Sequence, residues 1–102
     1  MRRAVSTSVG RLAVEETPVP AAGSGEVVIG VEACGICGTD RSLFAGDTPF
    51  VFPAVQGHEF SGTVVDLGAD VCSLKVGDRV AVDPNVVCLS APHAGAGSLI
   101  CA

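Results

Sequence analysis

The stretch Cys34-Gly35-Ile36-Cys37-Gly38-Thr39-Asp40, answered a short way on by Gly57-His58-Glu59, brings a thiolate, an imidazole and carboxylates into one region of the chain. Those are the donors a catalytic zinc ion takes. Glycines 35, 38, 57 and 62 crowd around these polar residues, as expected where a backbone turns tightly to aim several side chains at one point. The first reading is a metal site.

Outward from this stretch, short apolar runs bounded by turn residues recur along the chain, the pattern of an all-β barrel or sandwich. The candidate strands are Arg3 to Ser6, Leu12 to Glu15, Glu26 to Ala33, Phe60 to Leu67 and Arg79 to Asp83. Pro18-Val19-Pro20 and the Ala, Gly and Ser residues from 21 to 25 cannot sit inside a sheet ladder and connect the second strand to the third. Little helix is expected. One short turn is predicted from Asp40 to Ala45, with Asp40 capping it.

These residues, with Val76-Gly77-Asp78-Arg79-Val80-Ala81-Val82-Asp83-Pro84, resemble the zinc-dependent alcohol dehydrogenases of the medium-chain dehydrogenase/reductase superfamily, in particular the polyol and threonine dehydrogenase-like branch. The likeness runs from Met1 to about Val87. It implies a mainly β, GroES-like, partly open β-barrel over residues 1–87. It also implies that Cys37 and His58 are zinc ligands, that Glu59 sits beside the metal, and that Thr39 carries the hydroxyl through which a substrate alcohol loses its proton. Asp40 would orient His58. The activity implied is hydride transfer from an alcohol or polyol to NAD(P), with zinc as the catalytic metal; relatives take a third zinc ligand, usually Cys or Glu, from beyond the point where the likeness stops, so the site in this chain is expected to be incomplete.

The chemistry of these residue types agrees. A zinc ion held by thiolate and imidazole lowers the pKa of a bound alcohol and makes the alkoxide from which hydride leaves. Thr39, two positions past Cys37 in an extended loop, faces the same side, and a hydroxyl relays a proton without holding charge. A carboxylate such as Asp40 takes the hydrogen bond of the imidazole nitrogen that does not bind metal. Glu59, next to His58, either enters the coordination sphere or stands just outside it. Cys34 and Cys72 are read as structural, and the Asp78-Arg79 pair as part of a turn leading into a strand.

Composition bounds the alternatives. The chain has 102 residues and a net charge of −5, without Tyr or Trp, so phosphate neutralisation and base stacking are poorly served and nucleic acid is not expected as a partner. No apolar run approaches the roughly 18 residues of a membrane span. The start Met1-Arg2-Arg3-Ala4-Val5 lacks an apolar signal core. Five cysteines, an odd number, favour reduced thiols and metal chemistry over a disulfide framework, and a cytoplasmic location is expected. A single domain of this size buries about 60 to 65% of its unfolded surface, a modest core.

The resemblance fades near Cys88. Where relatives carry closely spaced cysteines for a structural zinc, this chain has Ala91 and Ala94, and no charged residue follows Asp83. Residues 88–102 are therefore read as an aberrant tail, best explained by a single-base insertion or deletion near the codons for Cys88 and Leu89. His93 is given no role. No Gly-rich dinucleotide fingerprint is present: Val28 and Ile100 stand where a third glycine would fall. The chain is expected to be the N-terminal catalytic portion of a longer architecture, without its nucleotide-binding domain, inactive alone and prone to self-association through the face that domain would cover. A non-enzymatic β-barrel association module, or a thiol-redox element built on Cys34 and Cys37, is the alternative. A reactive dithiol opens a helix, and Gly38 after Cys37 weakens that second reading.

Overall fold

The computed structural model describes residues 1–85, so the tail from 88 onward, with Cys88, Ala91, His93 and Ala94, lies outside the described residues. Five strands and one helix follow in the order β1 (Arg2–Ser8), β2 (Arg11–Glu16), β3 (Val27–Gly35), α1 (Gly38–Ala45), β4 (Glu59–Leu67) and β5 (Arg79–Ala81). The mainly β reading holds. Each candidate strand is present, and the first four are extended at one or both ends because backbone pairing continues past the last apolar side chain. β5 is shorter than expected. Val82 N–H still reaches Phe60 O at 3.0 Å, but Asp83 turns away to accept from Asn85 N–H at 3.0 Å and Asn85 Nδ2 at 2.7 Å.

The strands form two antiparallel sheets, β1-β2 and β3-β4-β5. The barrel is open between them. β1 and β2 make a hairpin from Arg2↔Glu16 to Ser8↔Arg11, with one irregularity between Ser6 and Ser8. β3 and β4 run from Val27↔Leu67 to Gly35↔Glu59, so the end of β3 lies beside the start of β4. The segment between α1 and β4 is fastened to β1 by a bridge in which Ser6 and Ala54 exchange backbone hydrogen bonds of 2.8 and 3.0 Å. Another bond, from Gly10 N–H to Phe44 O at 2.8 Å, ties the β1-β2 turn to α1.

The core is thin, as the length implies. Among the described residues Val5, Val64 and Val80 are the buried large apolar ones, at 4%, 0% and 8% exposure, whereas Ile36 and Val51 are more than four-fifths exposed. Among the described residues no helix is long and apolar enough to cross a membrane.

The helix differs from expectation at its start. It opens at Gly38 with Cys37 as its N-cap, and Asp40 is the third helical residue instead of the cap. Asp40 still serves the helix end, because its Oδ2 reaches back to accept from Cys37 N–H at 2.9 Å. The chain leaves the helix through Gly46, at φ 83°, with Asp47 N–H donating to Ser42 O at 2.9 Å.

Candidate metal centre

Pairing of Gly35 with Glu59 fixes where β4 begins relative to the end of β3, and the two residues after Gly35 carry the chain into α1. That geometry sets Cys37 beside His58-Glu59. One ligand atom each from Cys37, His58 and Glu59 lie within 4.8 Å of one another. Cys37 and His58 are half-buried and Glu59 is exposed. In a tetrahedral zinc site with bonds of about 2.0 to 2.3 Å, neighbouring donors stand roughly 3.3 to 3.8 Å apart. Closing the present cluster onto a metal therefore takes side-chain adjustments of about 1 Å, and sulfur, nitrogen and oxygen are donors zinc accepts.

Asp40 holds the two arms of this cluster together. It is 13% exposed; one oxygen accepts from Cys37 N–H, while the other accepts from Gly57 N–H at 3.3 Å. The same Oδ1 is 3.6 Å from His58 Nδ1, too far for a hydrogen bond. The strongest contacts of Asp40 are thus to backbone, and its neighbourhood to His58 is a weaker, electrostatic one. Thr39 is exposed, with Oγ1 3.7 Å from Cys37 Sγ. Its hydroxyl stands beside the thiol.

Gly57 is the position where the loop needs glycine. Its φ is +96°, and a Cβ built on it would stand 3.1 Å from Cys34 Sγ. Cys34 therefore faces Gly57, whereas a Cβ on the adjacent Gly35 would meet Glu59 Oε2 at 3.1 Å. Alternation along the strand sends the Cys34 thiol away from the cluster. It lines a cavity of about 370 Å³ with Leu12, Ile36, Phe44 and Gln56, which none of Cys37, His58 and Glu59 lines. Gly35, Asp40, Arg41 and Gly57 line it as well.

Two sequence expectations need correction here. A helix does open at Cys37, with Gly38 as its first residue, so Gly38 is no argument against a dithiol; what separates the pair is that Cys37 stands in the donor cluster and Cys34 lines the cavity. Cys72, expected to pack, is instead exposed in the turn after Asp70, whose φ is 70°. The Asp78 turn is as expected, with Lys75 N–H donating to Asp78 Oδ2 at 3.0 Å and Asp78 N–H to Lys75 O at 3.1 Å. Sequence reasoning missed Gln56, whose Nε2 is buried without a hydrogen-bond partner. Only its place one residue before Gly57-His58-Glu59 hinted at it.

Comparison with known proteins gives a consistent result. The family model of the alcohol dehydrogenase GroES-like domain matches residues 23–100. L-threonine 3-dehydrogenase of Streptomyces coelicolor is 47% identical over 77 residues, which cover 72% of this chain and 22% of that protein. Galactitol-1-phosphate dehydrogenase of Escherichia coli superposes with a TM-score of 0.83 at 31% identity, over 90% of this chain and 27% of the other. An alcohol dehydrogenase of Escherichia coli CFT073, solved with NADH, superposes with a TM-score of 0.78 at 39% identity, over 86% of this chain and 26% of the other. The chain spans about a quarter of the length of the curated relatives it matches.

Proposed function

From the premise that the chain belongs to the alcohol dehydrogenase GroES-like domain family, whose members among its relatives are zinc-type alcohol and polyol dehydrogenases, we propose that it carries the zinc-binding and proton-transfer residues of an NAD(P)-linked dehydrogenase of alcohols or polyols. Cys37 and His58 hold the metal, and Glu59 is the third donor. The observation that carries this reading is the convergence of those three donors within 4.8 Å, on two arms cross-linked by Asp40.

A bound zinc ion supplies Lewis acidity, which lets an alcohol give up its hydroxyl proton near neutral pH. Thr39, which is exposed, would accept that proton at Oγ1 while passing its own to solvent, so no charge would accumulate on it. Asp40 keeps the Cys37 arm and the Gly57-His58 arm in register and places negative charge beside His58 Nδ1, which leaves Nε2 as the nitrogen to face a metal. Similar structures solved with NADH and with NADP support NAD(P) as the hydride acceptor. Relatives that act on threonine or galactitol 1-phosphate support a secondary alcohol flanked by polar groups as the substrate class. By itself the chain binds one metal ion weakly and turns nothing over.

Cobalt substitution tests the reading. A thiolate-to-cobalt charge-transfer band is expected in the parent and in Cys34→Ala, and is lost in Cys37→Ala. A band that survives Cys37→Ala and disappears in Cys34→Ala would place the metal on the wrong thiol and overturn the assignment.

A further inference from the structure

β2 has one edge without a partner among the described residues, since no backbone hydrogen bond of Arg11–Glu16 goes anywhere but to β1. Which groups face outward follows from parity. Met1 and Thr17 exchange both of their backbone hydrogen bonds, at 2.6 and 2.9 Å. In the unbroken register that follows, Arg3↔Glu15 and Val5↔Ala13 are then the hydrogen-bonded pairs. The N–H and C=O groups of Leu12, Val14 and Glu16 therefore point away from β1, an unsatisfied template for another strand.

We propose that this edge pairs with the same edge of a second copy of the chain, antiparallel about a two-fold axis beside Ala13. Antiparallel pairing requires outward-facing residues to oppose outward-facing residues, which leaves few registers. The one centred on Ala13 sets Leu12 opposite Val14 of the second copy, and Arg11 opposite Glu15 of the second copy. Leu12 and Val14 are 61% and 70% exposed in the single chain, and the symmetric pairing gathers four such side chains on one face of the joined sheet. On the other face, Arg11 has no carboxylate partner among the described residues, while Glu15 already lies 3.2 Å from Arg3. The pairing thus builds a ladder in which Glu15 stands between Arg3 of its own chain and Arg11 of the other. Shifting the centre to Val14 instead sets Leu12 against Glu16 and Glu15 against Ala13, and both kinds of complementarity are lost.

Pro18 and Pro20, which lack an N–H, end the available edge just past β2. So short a contact buries less than the roughly 1,200 Å² of a stable interface, and the dimer is accordingly weak and salt-sensitive. Sedimentation velocity of the full chain, from micromolar to millimolar concentration, should show a reversible monomer–dimer equilibrium. Concentration-dependent amide shifts in ¹⁵N-labelled chain should fall on Leu12, Val14 and Glu16, with smaller changes at Ala13 and Glu15. Arg11→Glu sets like charges opposite each other at both ends and should raise the dissociation constant about tenfold. Val14→Lys, at an exposed position the single chain does not need, should do the same while leaving the remaining amide spectrum unchanged. A chain that stays monomeric over the whole range overturns the proposal. So does an association that survives both substitutions, or one whose amide shifts map outside β2. None of these outcomes touches the metal assignment, which the cobalt spectrum reads separately.

Discussion

Replacing Gly57 by Ala probes both the fold and the metal cluster at one position. The first contribution is conformational: at φ +96°, an L-residue carries a penalty of about 1 to 2 kcal/mol relative to glycine. The second is steric. The new methyl would stand 3.1 Å from Cys34 Sγ, a few tenths of an ångström too close, and pushing the thiol aside adds up to about 1 kcal/mol. A total loss of about 2 to 3 kcal/mol is expected, a large share of the roughly 5 to 15 kcal/mol that holds a small domain together. Urea unfolding followed by circular dichroism measures it as a fall in the midpoint at constant slope. The double variant Cys34→Ala, Gly57→Ala separates the parts, because removing the sulfur relieves the contact but not the backbone strain; it should recover only the steric share. Since Gly57 N–H donates to Asp40 and precedes His58, cobalt affinity should also fall in Gly57→Ala and stay low in the double variant. Unfolding within about 0.5 kcal/mol of the parent, or full rescue by Cys34→Ala, would refute the reasoning that backbone conformation at 57 sets the loop.

Asp40→Ala removes the acceptor of both Cys37 N–H and Gly57 N–H, and should cost about 1 to 2 kcal/mol by urea unfolding and weaken cobalt binding; Asp40→Asn, which keeps one acceptor oxygen, should lose less of each. Gly62→Ala would drive a methyl into Gly30 O, against the backbone of a paired strand that cannot give as a side chain does. A loss above about 3 kcal/mol follows, seen as a fall in the urea midpoint larger than that of Gly57→Ala. Arg3→Ala, by contrast, breaks an ion pair whose two side chains are each 43% exposed, and should change the thermal midpoint by the equivalent of no more than about 0.5 kcal/mol.

The contrast between Gly62 and Arg3 also marks what a sequence of this kind exposes to a reader. Strands were legible because their apolar runs are short and fenced by Gly and Pro, and the error was confined to their ends, where pairing continues through residues such as Arg2, Gly35 and Glu59 that carry no apolar signal. The cluster was legible only as a list of donors, since spacing along the chain says that Cys37 and His58 are compatible with one metal but not that they meet. What brings them together is the register Gly35↔Glu59 and the bridging carboxylate of Asp40, and both are long-range facts. The same limit explains the two cysteines of the Cys34-Gly35-Ile36-Cys37 stretch. A spacing that fits a dithiol is read identically whether the thiols converge or, as here, one lines an apolar cavity and the other faces an imidazole. Only the strand's alternation at Gly35, and the left-handed turn at Gly57 against which Cys34 rests, decide between them. The glycines of the opening motif therefore shape the cluster as much as its donors do: by lacking a Cβ, Gly35 and Gly57 leave room for Glu59 on one side of the β3 end and for the Cys34 thiol on the other, so that Cys37 is the thiol that stands with His58 and Glu59.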